Sequence, residues 1–163
     1  MLNSSTSSDL RVEVSGRRAP DEPAATSVCK WARAALGARG RGQVLAVRYV
    51  SLRSSRDLNR RYRGRDRATN VLAFPVAAPD LGQLGDLAVC TVLVRREAAE
   101  QAKAVRAHFA HLIVHGCLHL LGLDHRHERE ARRMERQERR ILRGLGFADP
   151  YRNELRATGA GFP

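Results

Sequence analysis

Residues 115–125 read His115-Gly116-Cys117-Leu118-His119-Leu120-Leu121-Gly122-Leu123-Asp124-His125, and the rest of the chain is best read outward from them. His115 and His119 are four apart, so on a helix they stand one above the other on one face. Gly122 is the residue type that ends a helix in a left-handed cap, and three residues later His125 can swing back toward the pair. Three neutral imidazoles at about 2.0–2.1 Å leave a zinc ion one open coordination position, as catalytic rather than structural sites do. Water bound there has its pKa lowered to roughly 7. One histidine on an apolar helix is ordinarily a core residue; three at this spacing with a glycine turn read as metal ligands. His111 also lies four residues before His115, but only the later pair precedes a turn that supplies a third ligand. The ligand set is therefore His115, His119 and His125, with His108 and His111 as hydrogen-bonding neighbours on the same stripe. Cys117, about 200° around a 3.6-residue turn from either ligand, should face away.

The helix carrying this pattern is expected over Arg106–Leu121, preceded by a helix over Arg95–Ala104 and followed by one over Arg126–Leu142. The last is dense in Arg and Glu, and its i,i+3 and i,i+4 charge pairs predict a solvated, self-paired face pinned to the core by Met134, Ile141 and Leu142. A few unpaired arginines there are expected to reach phosphates. Toward the N-terminus, Leu10–Ser15 alternates with the period of a strand. A helix is expected over Ala24–Leu36, stopping at Gly37. Gln43–Val50 reads as a buried strand, and Ser54–Tyr62 as a helix capped by Ser54 or Ser55. Val71–Val76 and Leu84–Val94 read as two further strands around a turn within Ala77–Gln83. Strands early and helices late predict an α+β domain, a small four-stranded mixed sheet packed with about five helices. The expected organisation is a flexible arm over 1–9, one domain over 10–151 and a loose tail over 152–163.

The chain has 163 residues and a formal net charge of +12. That length suits one domain with a real core, and that charge favours a polyanionic partner, nucleic acid first. Only Lys30 and Lys103 are lysines, so the charge is almost all arginine. Nothing approaches a run of eighteen apolar residues, which speaks against a membrane span, and the Ser/Thr-rich start lacks the apolar centre of a secretory signal. Cys29, Cys90 and Cys117 are odd in number and widely spaced, which argues against a disulfide framework and for reduced thiols in a cytoplasmic protein.

The histidine pattern is that of HExxHxxGxxH metalloproteases with one piece missing. Their Glu is the general base, and here Gly116 stands in its place. Amide hydrolysis needs that carboxylate to bring a proton to a poor leaving group; a phosphodiester asks less of it, given a metal hydroxide and a cation on the phosphoryl oxygens. Arginine suits the cationic role because its planar fork binds phosphate bidentately. The candidates are Arg60, Arg61, Arg63, Arg65 and Arg67, most of which composition alone would assign to a solvated basic loop.

Leu58-Asn-Arg-Arg-Tyr-Arg-Gly-Arg-Asp66 followed by Thr69-Asn-Val-Leu-Ala-Phe-Pro75 resembles the YbeY family of endoribonucleases. Leu84-Gly85-Asp86, Glu97-Ala98 with Gln101, the 115–125 stretch, Met134-Glu135 with Glu138, and Pro150-Tyr151 match that family in the same order, over roughly Val44–Tyr151. The resemblance implies a mixed-sheet fold with a zincin-like three-histidine zinc site in a basic cleft. It implies cleavage of single-stranded RNA, a role in maturing the 3′ end of small-subunit 16S ribosomal RNA, and ribosome quality control. RNA and the small subunit or its assembly factors are the implied partners, with no membrane and no DNA. By motif position the ligands again fall on His115, His119 and His125, and the functional arginine falls on Arg63. Leu123 replaces a usual Tyr, Ala73 an occasional Ser, and the stretch Val76–Gln83 is short, which bears on substrate fit.

Three functions compete at this point. A metal-dependent endoribonuclease would use the metal hydroxide or an activated 2′-hydroxyl, with Arg63 steadying the developing charge and Arg60, Arg61, Arg65 and Arg67 binding RNA. A ribosome-assembly factor with a structural zinc fits the basic surface as well. A zincin-type peptidase is disfavoured by Gly116. One zinc ion per chain is expected, with nickel or cobalt able to take the same geometry. Asp124 reads as a turn residue or an imidazole partner, and Asp86 as a turn cap at a strand start.

Overall fold

The structure is a computed structural model that describes residues 9–76 and 82–152. All but one residue of the arm expected over 1–9 and of the tail expected over 152–163, and most of the turn over Ala77–Gln83, lie outside the described residues. Among those described, the chain runs β1 (Arg11–Ser15), α1 (Ala25–Leu36), a 3-10 turn (Gly37–Gly40), β2 (Val44–Val50), α2 (Leu52–Arg63), β3 (Val71–Pro75), β4 (Gln83–Cys90), α3 (Thr91–Glu100), α4 (Val105–Leu120) and α5 (Glu128–Gly144). This is the α+β fold expected, with four strands and five helices.

The sheet order is β1-β2-β4-β3. β1, β2 and β4 are mutually parallel, and β3 runs antiparallel to β4 along one edge, which makes the sheet mixed. Alternation puts Leu45, Val47, Leu87 and Val89 on the face that packs under the helices, all buried. α4 is apolar nearly all round, as a central helix must be, and packs against α1, α3, α5, β3 and β4. Phe109 and Ile113 on it are wholly buried, each contributing about 1.5–3 kcal/mol of apolar transfer. Gly116 lets α4 lie close on the sheet, since a Cβ there would sit 2.8 Å from Leu87 Cδ2. Gly85 serves the same approach from below: a Cβ would meet Phe74 O at 2.6 Å and Leu120 Cδ2 at 2.8 Å.

Several expectations change in the structure. The strand expected over Leu84–Val94 ends at Cys90, and Thr91–Val94 form the first turn of α3. Those residues are β-branched or apolar because Thr91, Val94 and Ala98 bury one helical face, so composition hides the boundary. The cap of α2 is Ser51, not Ser54 or Ser55: its side chain accepts from the Ser54 amide, while Ser55 is buried and donates to Thr69 O. Asp86 lies inside β4 opposite Phe74 rather than capping a turn. The self-paired face expected on α5 is found once, as Arg132 with Glu128; Arg139 instead pairs with Asp149 beyond the helix.

Candidate metal centre

α4 presents a polar stripe of His108, His111, His115 and His119 along an otherwise apolar helix. Its C-terminus is closed by a Schellman motif: Leu123 N donates to Leu118 O at 3.1 Å and Gly122 N to His119 O at 2.9 Å. Gly122 takes φ +88° with open space around it, so glycine is required by conformation and not by crowding. Leu123 tucks back against the core. That reversal brings His125 over the end of its own helix, as the spacing predicted.

One ring nitrogen from each of His115, His119 and His125 lies within 4.8 Å of the other two. The His115 and His119 Nε2 atoms are 3.0 Å apart, near the roughly 3.3 Å that tetrahedral coordination with ~2.0–2.1 Å bonds implies. Burial, followed by the neighbouring His115 and His125, pushes the His119 pKa down to about 4. His119 is therefore a neutral donor at pH 7, the form in which imidazole ligates metal. The donor set fits a zinc-type ion.

A second group, His111, His115 and Glu138, also meets within 4.8 Å, but its atoms already satisfy one another. The Glu138 carboxylate is wholly buried; it accepts from His115 Nδ1, from His111 Nε2 at 3.1 Å and from the Tyr151 hydroxyl. Burial opposes its ionisation, but the hydrogen bonds from His111 and His115 prevail and hold its pKa at about 2. An ionised carboxylate on Nδ1–H fixes the His115 tautomer, leaving Nε2 for the ion. His108 continues the stripe differently, bonding Glu97 at 2.7 Å, which in turn accepts from Asn70 Nδ2 at 3.1 Å. Sequence reasoning gave Glu138 no role of its own. Its signal is a Glu on the buried stripe of Met134, Ile141 and Leu142.

The three histidines sit in a cleft of about 610 Å³ that Arg63, Arg65 and Arg67 also line. Arg63 leaves α2 just before Gly64, which ends that helix in the left-handed region, and its Nη2 donates to Ala73 O at 3.0 Å. Arg60 and Arg61 do not line the cleft; Arg61 packs over the Tyr62 ring at 5.7 Å. Asp124 is the one carboxylate lining the cleft among the described residues. It accepts from the His125 amide at 2.7 Å and pairs with Arg126 at 2.9 Å, which is its turn role. Cys117 is buried away from the ligands, and burial pushes its thiol up to about 12. Gly116 backs onto Leu87, so a Glu at that position has no room to act as a base without displacing the sheet contact.

With this geometry in hand, comparison with known proteins is specific. The family model for endoribonuclease YbeY matches residues 19–146. A protein named endoribonuclease YbeY from Stenotrophomonas maltophilia is 52% identical over 139 residues, covering 81% of this chain and 86% of that one. One of the same name from Stutzerimonas stutzeri is 48% identical over 141 residues, covering 84% and 88%. A solution structure of a Thermotoga maritima protein aligns with TM-score 0.55 at 23% identity, over 85% of this chain and 97% of its own, and so shares the fold.

Proposed function

The chain belongs to the YbeY family of endoribonucleases, and from that membership and its cleft we propose that it is a metal-dependent endoribonuclease acting on single-stranded RNA. The observation that carries this reading is one cleft lined both by three converging imidazoles and by Arg63, Arg65 and Arg67. In this reading His115, His119 and His125 hold one zinc ion per chain. When bound, that ion supplies a water of lowered pKa and a positive charge at the cleft floor. Glu138 keeps His115 oriented through Nδ1. Arg63, anchored on Ala73 O, offers its remaining donors to the phosphoryl oxygens of the scissile bond and steadies the charge that develops there. Arg65 and Arg67 bind flanking phosphates. The biological substrate is the 3′ region of small-subunit 16S ribosomal RNA, cut during maturation and ribosome quality control in the cytoplasm. No helix among the described residues is long and apolar enough to cross a membrane.

A ribosome-assembly role with a structural zinc is the second reading, favoured by one observation: the only cleft carboxylate among the described residues, Asp124, is already engaged by Arg126 and the His125 amide. Gly116 speaks against peptidase chemistry. The deciding experiment is cleavage of a single-stranded RNA by zinc-loaded protein, with His119→Ala and Arg63→Ala alongside. Cutting by wild type and its loss in both folded variants supports the nuclease. Tight RNA binding with no cutting by wild type moves the assignment to the assembly factor. Cyclic 2′,3′-phosphate ends on the products would identify the 2′-hydroxyl as nucleophile, and 5′-phosphate with 3′-hydroxyl ends would identify water.

A further inference from the structure

The outer face of α5 is unaccounted for by the cleft. Met134, Glu138, Ile141 and Leu142 point inward and are buried. At about 100° per residue, Arg129, Arg133, Arg136, Arg140 and Arg143 fall within about 80° of one another on the opposite side. They recur at steps of four, three, four and three residues and span about 21 Å at ~1.5 Å rise. All five are exposed. Among the described residues no carboxylate pairs with any of the five: Glu128 pairs with Arg132 and Asp149 with Arg139. Among the described residues Arg140 bonds only the neutral Gln137, at 2.9 Å. Five like charges on one face repel one another, so an anionic partner is what this face would gain from.

The stripe starts within a few residues of the cleft. Arg126 lines the cleft directly after His125 and pairs with Asp124, and Arg129 follows three residues later in the first turn of α5. Two other anionic partners fit less well. A bilayer-seeking helix carries apolar residues beside its cations, and this face has none. An acidic protein would have no reason to follow a line that begins at the metal ligands.

We propose that the outer face of α5 is a phosphate track along which an RNA strand runs on leaving the histidine cleft, so that the binding footprint is longer than the cutting site. The proposal rests on the RNA-directed reading above for its partner. A stacked strand carries one phosphate per ~3.4 Å, so about six nucleotides beyond those in the cleft span the stripe.

The test measures RNA binding, not cleavage. Wild type and the triple variant Arg133→Gln, Arg136→Gln, Arg140→Gln are titrated with fluorescent single-stranded RNAs of about 5 and about 20 nucleotides at several salt concentrations. Gln keeps the helix propensity, and far-UV dichroism with the melting temperature verifies the fold. On the long RNA the variant is expected to bind roughly 10- to 100-fold more weakly at ~0.1 M salt, with a log–log salt slope shallower by about 2, from ~0.7 per phosphate contact on single strands. On the short RNA the two proteins should bind alike. Equal binding and slope on the long RNA overturn the track. So does loss of binding to phosphatidylserine vesicles with RNA binding intact, which would reassign the face to membranes. Failure of wild type to bind RNA of either length defeats the RNA-directed reading itself, a result distinct from the other two.

Discussion

Replacing Glu138 by Gln tests the reasoning about the metal centre most directly. The carboxylate is wholly buried and serves three donors, His115 Nδ1, His111 Nε2 and the Tyr151 hydroxyl. Ala would strip all three of their acceptor at a cost of about 3–5 kcal/mol and threaten the fold. Gln conserves volume and one acceptor oxygen but removes the charge, and its amide can donate to His115 Nδ1 and so admit the wrong tautomer. Its amide also faces His111, whose Nδ1 is already buried without a partner, so stability should fall by about 1.5–3 kcal/mol, the worth of a charge-assisted hydrogen bond. Loss of the carboxylate behind a ligating histidine costs about 10- to 100-fold in metal affinity, or about 1.4–2.7 kcal/mol. Competition between the protein and a chromophoric chelator for zinc near neutral pH reads the affinity, and ¹⁵N NMR of the imidazoles reads the His115 tautomer. Glu135→Gln, one turn away and not in this network, is the control and should bind zinc as wild type does. A folded Glu138→Gln protein with wild-type zinc affinity and an unchanged His115 tautomer would refute the orienting role.

Three further outcomes are expected. His119 has its pKa pushed down to about 4 from an ordinary 6.5, so between those values the unfolded chain binds a proton that the folded chain refuses. Stability of the metal-free protein should therefore fall as pH drops from about 6.5 to about 4, and the urea midpoint of His119→Gln should lose that part of the slope. Gly116→Ala places a Cβ 2.8 Å from Leu87 Cδ2 and should cost about 1–3 kcal/mol by overpacking, seen as a lower melting temperature. Gly122→Ala meets no atom within 4 Å but must hold φ +88°; it should lose about 1–2 kcal/mol and also weaken zinc binding, because His125 is aimed by that turn.

Much of the centre was legible because it is local. His115, His119, Gly122 and His125 belong to one helix and its cap, where spacing alone dictates geometry: a four-residue step stacks two imidazoles, and a left-handed glycine returns the third. The arginines were legible as a cluster, but which of them matter depends on where α2 ends. Gly64 and the Arg63 bond to Ala73 O put Arg63, Arg65 and Arg67 on the cleft wall and leave Arg60 and Arg61 outside it. The misread boundary at Thr91 arose because a strand buried on one face and a helix turn buried on one face draw on the same apolar residues.

By itself, then, the sequence determined the elements, the α+β class and the three converging histidines, since each follows from periodicity within a dozen residues. Only the tertiary structure decided what stands behind those ligands and across from them. Glu138 reaches His115 from 23 residues away, and Arg63 shares a cleft with the histidines that exists only once β3 has paired with β4 and α4 has packed on the sheet. The α5 arginines divide the same way. Their four-and-three spacing is written in the chain, but that the face is exposed, largely unpaired and begins at the cleft rim depends on which side of the helix the core has taken.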